Sequence, residues 1–308
     1  MSASSIGVGV ENRSLRGEGV DVRGLVFAGA LLLALLFSLA VLTVLVGSQL
    51  IQAAPVFADR GLDFLTSDLA SNPAQAGVAQ GIVGTALLAV IVSLIAFPIG
   101  IMSAIFLEEY APDNRLSRFI DINIRNLAGV PSVVYGILGL TVFVAIMAAL
   151  GDGDGKNVLS GGLTLAVLIL PLVIITSAEA IRAVPNTLRE GGFGLGASRW
   201  QVVRKLILPA AAPGILTGTV LALSRTIGET APLILVGAVL GSFSTQGGLA
   251  EALSGPYAAM PTIVFDWARK PGAQFQANTS AAIIVLLALT MLANAAAILL
   301  RNRYDRRW

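Results

Sequence analysis

Six apolar runs, each about twenty residues or longer, recur along this chain with polar loops between them, and that is the length a helix needs to cross a bilayer core of roughly 30 Å. They lie at approximately Gly24–Ile51, Val78–Leu107, Ile122–Leu150, Gly161–Ala183, Ala210–Leu240 and Thr279–Leu300. In lipid, a spanning segment must satisfy its own backbone groups, so the pattern predicts an all-α integral membrane protein with six transmembrane helices. Composition agrees: 56% of the 308 residues are hydrophobic and 12% are charged, where soluble domains carry about a quarter charged. The first run follows Arg13, Arg16 and Arg23, as a signal peptide would. Its uncharged stretch of about 27 residues exceeds the ~7–15 of a cleavable segment, so an uncleaved first helix is expected.

The cations orient the bundle. Alternating the loops places fifteen of the twenty Lys and Arg residues on one side and only Arg60, Lys156, Arg269 and Lys270 on the other. By the positive-inside rule the crowded side is cytoplasmic, and both termini lie there. Three regions are expected: a cytoplasmic tail over 1–23, the membrane domain over 24–300 and a basic cytoplasmic tail over 301–308. Pro98, Pro131, Pro171, Pro213 and Pro232 fall in or beside spans, where they either kink pore-lining helices or are simply tolerated. Gly77/Gly81 and Gly214/Gly218 have the spacing that lets helices approach closely.

Several chemistries are excluded. The chain has no cysteine and no histidine, so disulfides, thiolates, Cys/His metal sites and histidine bases are ruled out. A net charge of +2 gives no reason to expect nucleic-acid binding. The loop GDGDGKN (Gly151–Asn157) has neither the glycine spacing of a P-loop nor the ligand positions of a calcium loop, and reads as an external turn. No cofactor of the chain's own is expected, and nucleotide hydrolysis, if coupled, belongs to another subunit.

The one cation left inside a span is Arg225. With the fifth helix starting near Pro213, it lies about 18 Å along. A lone charge there costs about 2.5–3.5 kcal/mol, so it should face the bundle interior with Glu229, four residues on, as its partner. The pair is either a structural lock between helices or part of a translocation path, where a guanidinium fork would bind a tetrahedral oxyanion through two hydrogen bonds. Glu179 and Arg182, near the inner end of the fourth span, are a second candidate pair at a cytoplasmic exit, unless Arg182 merely snorkels to the interface. Ser132, Tyr135 and Thr230 are candidates for neutral hydrogen bonds along the path.

The longest cytoplasmic loop, PNTLREGGFGLGASRWQVVRKLILPAAAPGI, mixes Ser198, Arg199, Arg204 and Lys205 with Leu195, Trp200, Val203 and Leu206, as a short helix lying on the membrane face would. Glu190, Gly196, Leu208 and Pro209 fall at the spacing E-A-A-x3-G-x9-I-x-L-P and resemble the EAA loop of ABC importer permeases. Gly191 and Gly192 stand where alanines are usual, and Leu206 where isoleucine is. The segments NLAGVPSVVYGILGLTVFV, RTIGETAPLILVGA, MPTIVFDWARKPGAQF and LRNRYDRRW look like those of PstA-type permease subunits of phosphate importers, from about residue 78 onward.

The resemblance implies a type I ABC importer permease fold with its core over 78–300 and a cytoplasmic coupling helix in the loop over 185–209. Glu190, Gly196, Ala197, Arg199, Trp200, Leu208 and Pro209 would dock on an ATPase, with Gly196 allowing the bend. Arg225 and Glu229 would be pathway residues. The implied partners are a homologous PstC-type permease, a dimer of PstB-type ATPases that bind ATP and magnesium, an extracytoplasmic PstS-type phosphate-binding protein, and the lipid bilayer. The outer segment Gly241–Asn278, with Trp267, Arg269 and Lys270, would dock the binding protein. The alternatives are a permease for another oxyanion, an ATP-independent channel or secondary carrier, and a membrane scaffold.

Overall fold

The computed structural model describes residues 22–151, 153–238, 253 and 255–305, and among them every regular element is helical. Arg13, Arg16, Arg306 and Arg307, and most of the outer segment before residue 255, lie outside the described residues. Among the described residues, six helices are long and apolar enough to span a bilayer, in agreement with the number of apolar runs.

The chain divides into two units at Ser48. The first contains most of helix α1 (Val22–Arg60), where the hydroxyls of Thr43 and Ser48 donate to the carbonyls of Leu39 and Leu45 and so need no outside partner. The second holds the end of α1 and everything after it. A single turn, α2 (Asp63–Thr66), precedes α3 (Ala79–Ile105), which a π-helical turn extends through Phe106–Tyr110. Then come α4 (Arg115–Ala128), and a third span made of α5 (Ser132–Leu138), a π-helical turn over Gly139–Val144, and α6 (Ala145–Ala149). Helix α7 (Val158–Arg182) is the fourth span, and α8 (Asn186–Gly194) follows it. The fifth span runs through α9 (Arg199–Val202), a π-helical turn over Val203–Ile207, and α10 (Leu208–Gly228). Short helices α11 (Ala231–Leu235) and α12 (Met260–Ala268) lead to α13 (Ala273–Asp305).

Helix α7 is the axis of the second unit. It starts on a capping box in which Asn157 Oδ1 accepts from the Ser160 amide and Ser160 Oγ from the Asn157 amide. Its most apolar window is 67% buried, against 6% for the last span, because α3 and α10 cover it on two sides. Gly214 and Gly218 sit against Ala180 and Thr176 of α7, the close approach their spacing predicts.

Two spans differ from their apolar runs. The third does not begin at Ile122: the segment 115–128 is a separate amphipathic helix, α4, and the chain breaks at Gly129–Pro131 before α5 begins. Proline lacks an N–H and disfavours helical backbone at the residue before it, so Pro131 separates two helices that hydropathy alone would fuse. The fifth span begins earlier, at Arg199, and ends at Gly228 instead of Leu240. Glu229 is extended, with φ −71° and ψ 126°, and Pro232 occupies the first turn of α11, where its missing N–H costs nothing.

Three apolar clusters fill the second unit. One lies between α3, α5, α7 and α11. A second gathers Phe64, Met260, Ile263 and Trp267, and the third packs Ala104, Ile174, Ile181, Val203 and Ile207 where the fourth and fifth spans meet α3. Trp267 is 1% exposed, its ring 6.3 Å from those of Phe64 and Phe275, so it is a core residue and not a docking one.

Candidate functional site

The helices that follow the two breaks, α5 and α11, pack on each other. A side chain on Gly136 would lie 2.7 Å from the Pro232 backbone, so α5 and α11 touch at a point that only glycine allows. Just before this crossing, in the last turn of α10, Arg225 Nε donates to Glu229 Oε1 at 3.2 Å. The pair expected from the four-residue spacing forms, with two differences. Arg225 lies near the far end of its helix, not midway, and its side chain is 48% exposed while that of Glu229 is 14% exposed. Among the described residues, therefore, nothing encloses the charge; it stands on an open face. Next to it, Ser224 Oγ pairs with Asn294 Oδ1 of α13 and fixes this end of α10 against the last span.

The neutral candidates divide. Tyr135 is buried and its hydroxyl donates to the Leu127 carbonyl at 2.8 Å, bridging the α4–α5 break, so its hydroxyl proton is already committed. Thr230 Oγ1 lies 3.5 Å from the Gly228 carbonyl, across the extended residue. Among the described residues, no hydrogen bond or ion pair joins Ser132 to Arg225 or Glu229.

At the opposite end of the spans, Glu179 and Arg182 do not form a salt bridge. Arg182 instead makes a two-pronged contact with Glu108, on the π-helical turn that ends α3, while exposed Glu179 and nearby Asp121 add only their field. The reason is direction: Glu108 reaches Arg182 from another helix with both carboxylate oxygens, a geometry that favours arginine. Around them is a polar cavity of about 340 Å³ whose lining includes Asp113, Ser117, Arg118 and Asp121.

The loop between the fourth and fifth spans is a helical hairpin. Helix α8 ends in a Schellman motif, with the Gly196 amide donating to the Phe193 carbonyl at 2.9 Å and the Ala197 amide to the Gly192 carbonyl at 3.1 Å. Gly196 has φ +79°, which a side chain resists, so the bend expected at this glycine is there. Two residues later Ser198 caps α9 in a box with Gln201. The amphipathic stretch around Arg199 is not a free-standing surface helix, because Val202, Val203 and Ile207 are buried and it forms the first turns of the fifth span. The separate helix is α8. Glu190 is exposed on it, and Leu188, Phe193, Leu195 and Trp200 add exposed apolar surface nearby. Ala197, Leu208 and Pro209 are half-buried, and the Arg199 guanidinium stacks on the Tyr110 ring at 5.6 Å.

At the other end of the bundle, Lys270 pairs with Asp266 at 2.8 Å and Arg269 lies over Phe265, beside a cavity of about 370 Å³ that also touches Ile234 and Thr262. The residues missed from sequence are Glu108 and Glu109. Two adjacent carboxylates closing an apolar run on the basic side of the chain were the available signal.

Six helices, among the described residues, that are long and apolar enough to span a bilayer define a multi-pass membrane protein, and its second unit carries an ion pair with a half-exposed arginine and, elsewhere, a helical hairpin. Residues 96–308 match the family described as binding-protein-dependent transport system inner membrane component, and the chain belongs to that family of inner-membrane proteins. It is 40% identical over 200 residues to the probable ABC transporter permease protein YqgH of Bacillus subtilis, covering 63% of this chain and 64% of that one. With the phosphate transport system permease protein PstA of Yersinia pestis it shares 33% identity over 223 residues, 72% of either chain. The matched parts of YqgH and of its Bacillus subtilis neighbour YqgI amount to 64% and 56% of their lengths, less than two thirds of each. Among solved structures, an inward-facing MetNI methionine ABC transporter aligns with a TM-score of 0.57 at 20% identity, covering 74% of this chain and 96% of that one. A bacterial alginate ABC transporter aligns at 0.58 and 16%, covering 88% and 95%. At these identities the likeness is one of fold: the type I ABC importer permease fold.

Proposed function

We propose that this chain is the permease subunit of an ATP-driven importer that moves inorganic phosphate into the cytoplasm by alternating access. The observation that carries the reading is the Arg225–Glu229 pair, its arginine half-exposed, at the end of the fifth span shortly before the helix that packs on α5. A guanidinium that this chain leaves uncovered needs water, an anion or a second subunit against it, since lipid would cost too much. A homologous PstC-type permease facing that surface would complete a polar path. Arginine suits phosphate because its planar fork gives two parallel hydrogen bonds and keeps its charge, while Glu229 competes for the same donors and limits how tightly the anion is held.

The remaining parts follow from the same reading. The exposed face of α8 and its hairpin docks on a dimer of PstB-type ATPases, which supply the ATP and magnesium sites that this chain lacks as motifs. A PstS-type binding protein delivers phosphate to the opposite end, where Arg269 and Lys270 border a cavity. Both termini are cytoplasmic. Support for phosphate comes from the PstA relatives, and support for an ABC importer from the family match.

The test is ATP-dependent phosphate uptake by the four-component complex in liposomes, comparing the wild type with Arg225→Lys. A lysine keeps the charge but loses the fork, so uptake should fall by about tenfold or more, equivalent to about 1.4 kcal/mol, while the complex still assembles. Normal uptake by the variant would mean that Arg225 is only a structural charge. Uptake of a different anion by the wild type would replace phosphate as the cargo.

A further inference from the structure

Glu108 and Glu109 are neighbours on the π-helical turn at the end of α3, and each holds an arginine: Glu108 holds Arg182, the last residue of the fourth span, and Glu109 holds Arg189, beyond it. The two contacts are unequal. Arg182 is 55% exposed, so solvent weakens its pairing, whereas Arg189 and Glu109 are 19% and 9% exposed. Arg189 lies on α8, next to Glu190, and its guanidinium is saturated within the chain. Nε and Nη2 donate to Glu109 Oε1 at 3.1 and 2.9 Å, Nη1 donates to the Val184 carbonyl at 2.7 Å and to Asn186 Oδ1 at 3.1 Å, and Nη2 also reaches the Ile181 carbonyl at 3.0 Å. Guanidinium has five N–H donors, and all are used. Ile181 is in the last turn of α7 and Val184 follows its C-cap, where carbonyls are not fully used by the i to i+4 pattern of the helix. One side chain therefore joins three elements: the helix it belongs to, the end of the fourth span and the end of the second.

The neighbouring packing is consistent with a fixed inner face. Gly192, one turn further along α8, is buried against Val202 and Leu206, and an added Cβ would come within 2.8 and 2.9 Å of their side chains. Glu190 faces outward and is free for a partner.

We propose that Arg189 is the positioning residue of a coupling joint. With Glu109 it ties α8 to α3 and α7, so that a displacement imposed on the outer face of α8 moves two spans and is not absorbed in the loop. This rests on the reading of α8 and its hairpin as the ATPase contact; it does not depend on the cargo. A lysine could not replace it, because an ammonium has three donors around a point and no planar fork.

The joint is tested by the factor by which the loaded binding protein stimulates ATP hydrolysis, measured per assembled complex, in the wild type, Arg189→Lys, Glu109→Gln and the double variant. A structural defect alone would lower the amount of complex and leave this factor unchanged. The expected result is that each single variant keeps its unstimulated hydrolysis and loses stimulation by about tenfold, with the double variant no worse than either single because both remove the same tie. Full stimulation in both single variants overturns the joint. Glu190→Lys examines the underlying reading separately. If it leaves ATPase co-purification unchanged, α8 is not the contact and the joint falls with it; if co-purification drops while the Arg189 and Glu109 variants remain stimulated, only the joint falls.

Discussion

At the scale of single residues, conformation and partner choice decide what each charge and glycine can do. Gly196 holds φ +79° with open space where a side chain would point, so the penalty for adding one is backbone strain and not a clash. Gly196→Ala should cost about 1–2 kcal/mol of local stability. The measurement is recovery of the proposed ATPase partner with the purified protein, which should fall in the variant; unchanged recovery would mean that the hairpin tolerates a different turn. The Arg225–Glu229 pair was legible because both partners lie four residues apart on one segment. Arg182 was not, since its partner Glu108 lies 74 residues away and only the fold brings them together.

At the scale of elements, caps and breaks set where the spans begin and end. Losing the Asn157 side chain from its capping box should cost about 1 kcal/mol, and for a chain of this size Asn157→Ala should lower the melting temperature by about 1–2 °C. A melting curve in detergent decides it, and no shift would show that the start of α7 is held by packing alone. The number of spans was readable because length and apolarity are local properties. The breaks at Gly129–Pro131 and Gly228–Thr230 were not, because hydropathy averages over residues whose effect is to change backbone direction. Pro131 and Pro232 carried that signal, but a proline in a membrane span is compatible with a kink as well as a stop. The amphipathic character around Arg199 was read correctly as a pattern and misplaced as an element: burial of Val202 and Val203 makes it the root of the fifth span.

At the scale of the whole molecule, the distribution of cations makes an orientation testable. Because the chain contains no cysteine, a single introduced thiol reports one position without background from this subunit. With the basic side inward, Lys156→Cys should react with a membrane-impermeant thiol reagent added outside intact cells, and Arg204→Cys should react only after the membrane is opened. The reverse pattern would invert the orientation and move the proposed ATPase contact to the other side of the membrane.

From Arg199 to Gly228 the chain is continuously helical, passing from α9 through one π-helical turn into α10. The hairpin bend and the ion pair thus stand at opposite ends of one rod, with Arg225 about 40 Å from its root. Phase along that rod is counted in residues. One residue inserted between Ser198 and Ser224 would swing the Arg225 side chain by about 100° around the axis relative to the hairpin at the root. The length of this stretch is therefore as much a part of the device as the arginine at its end.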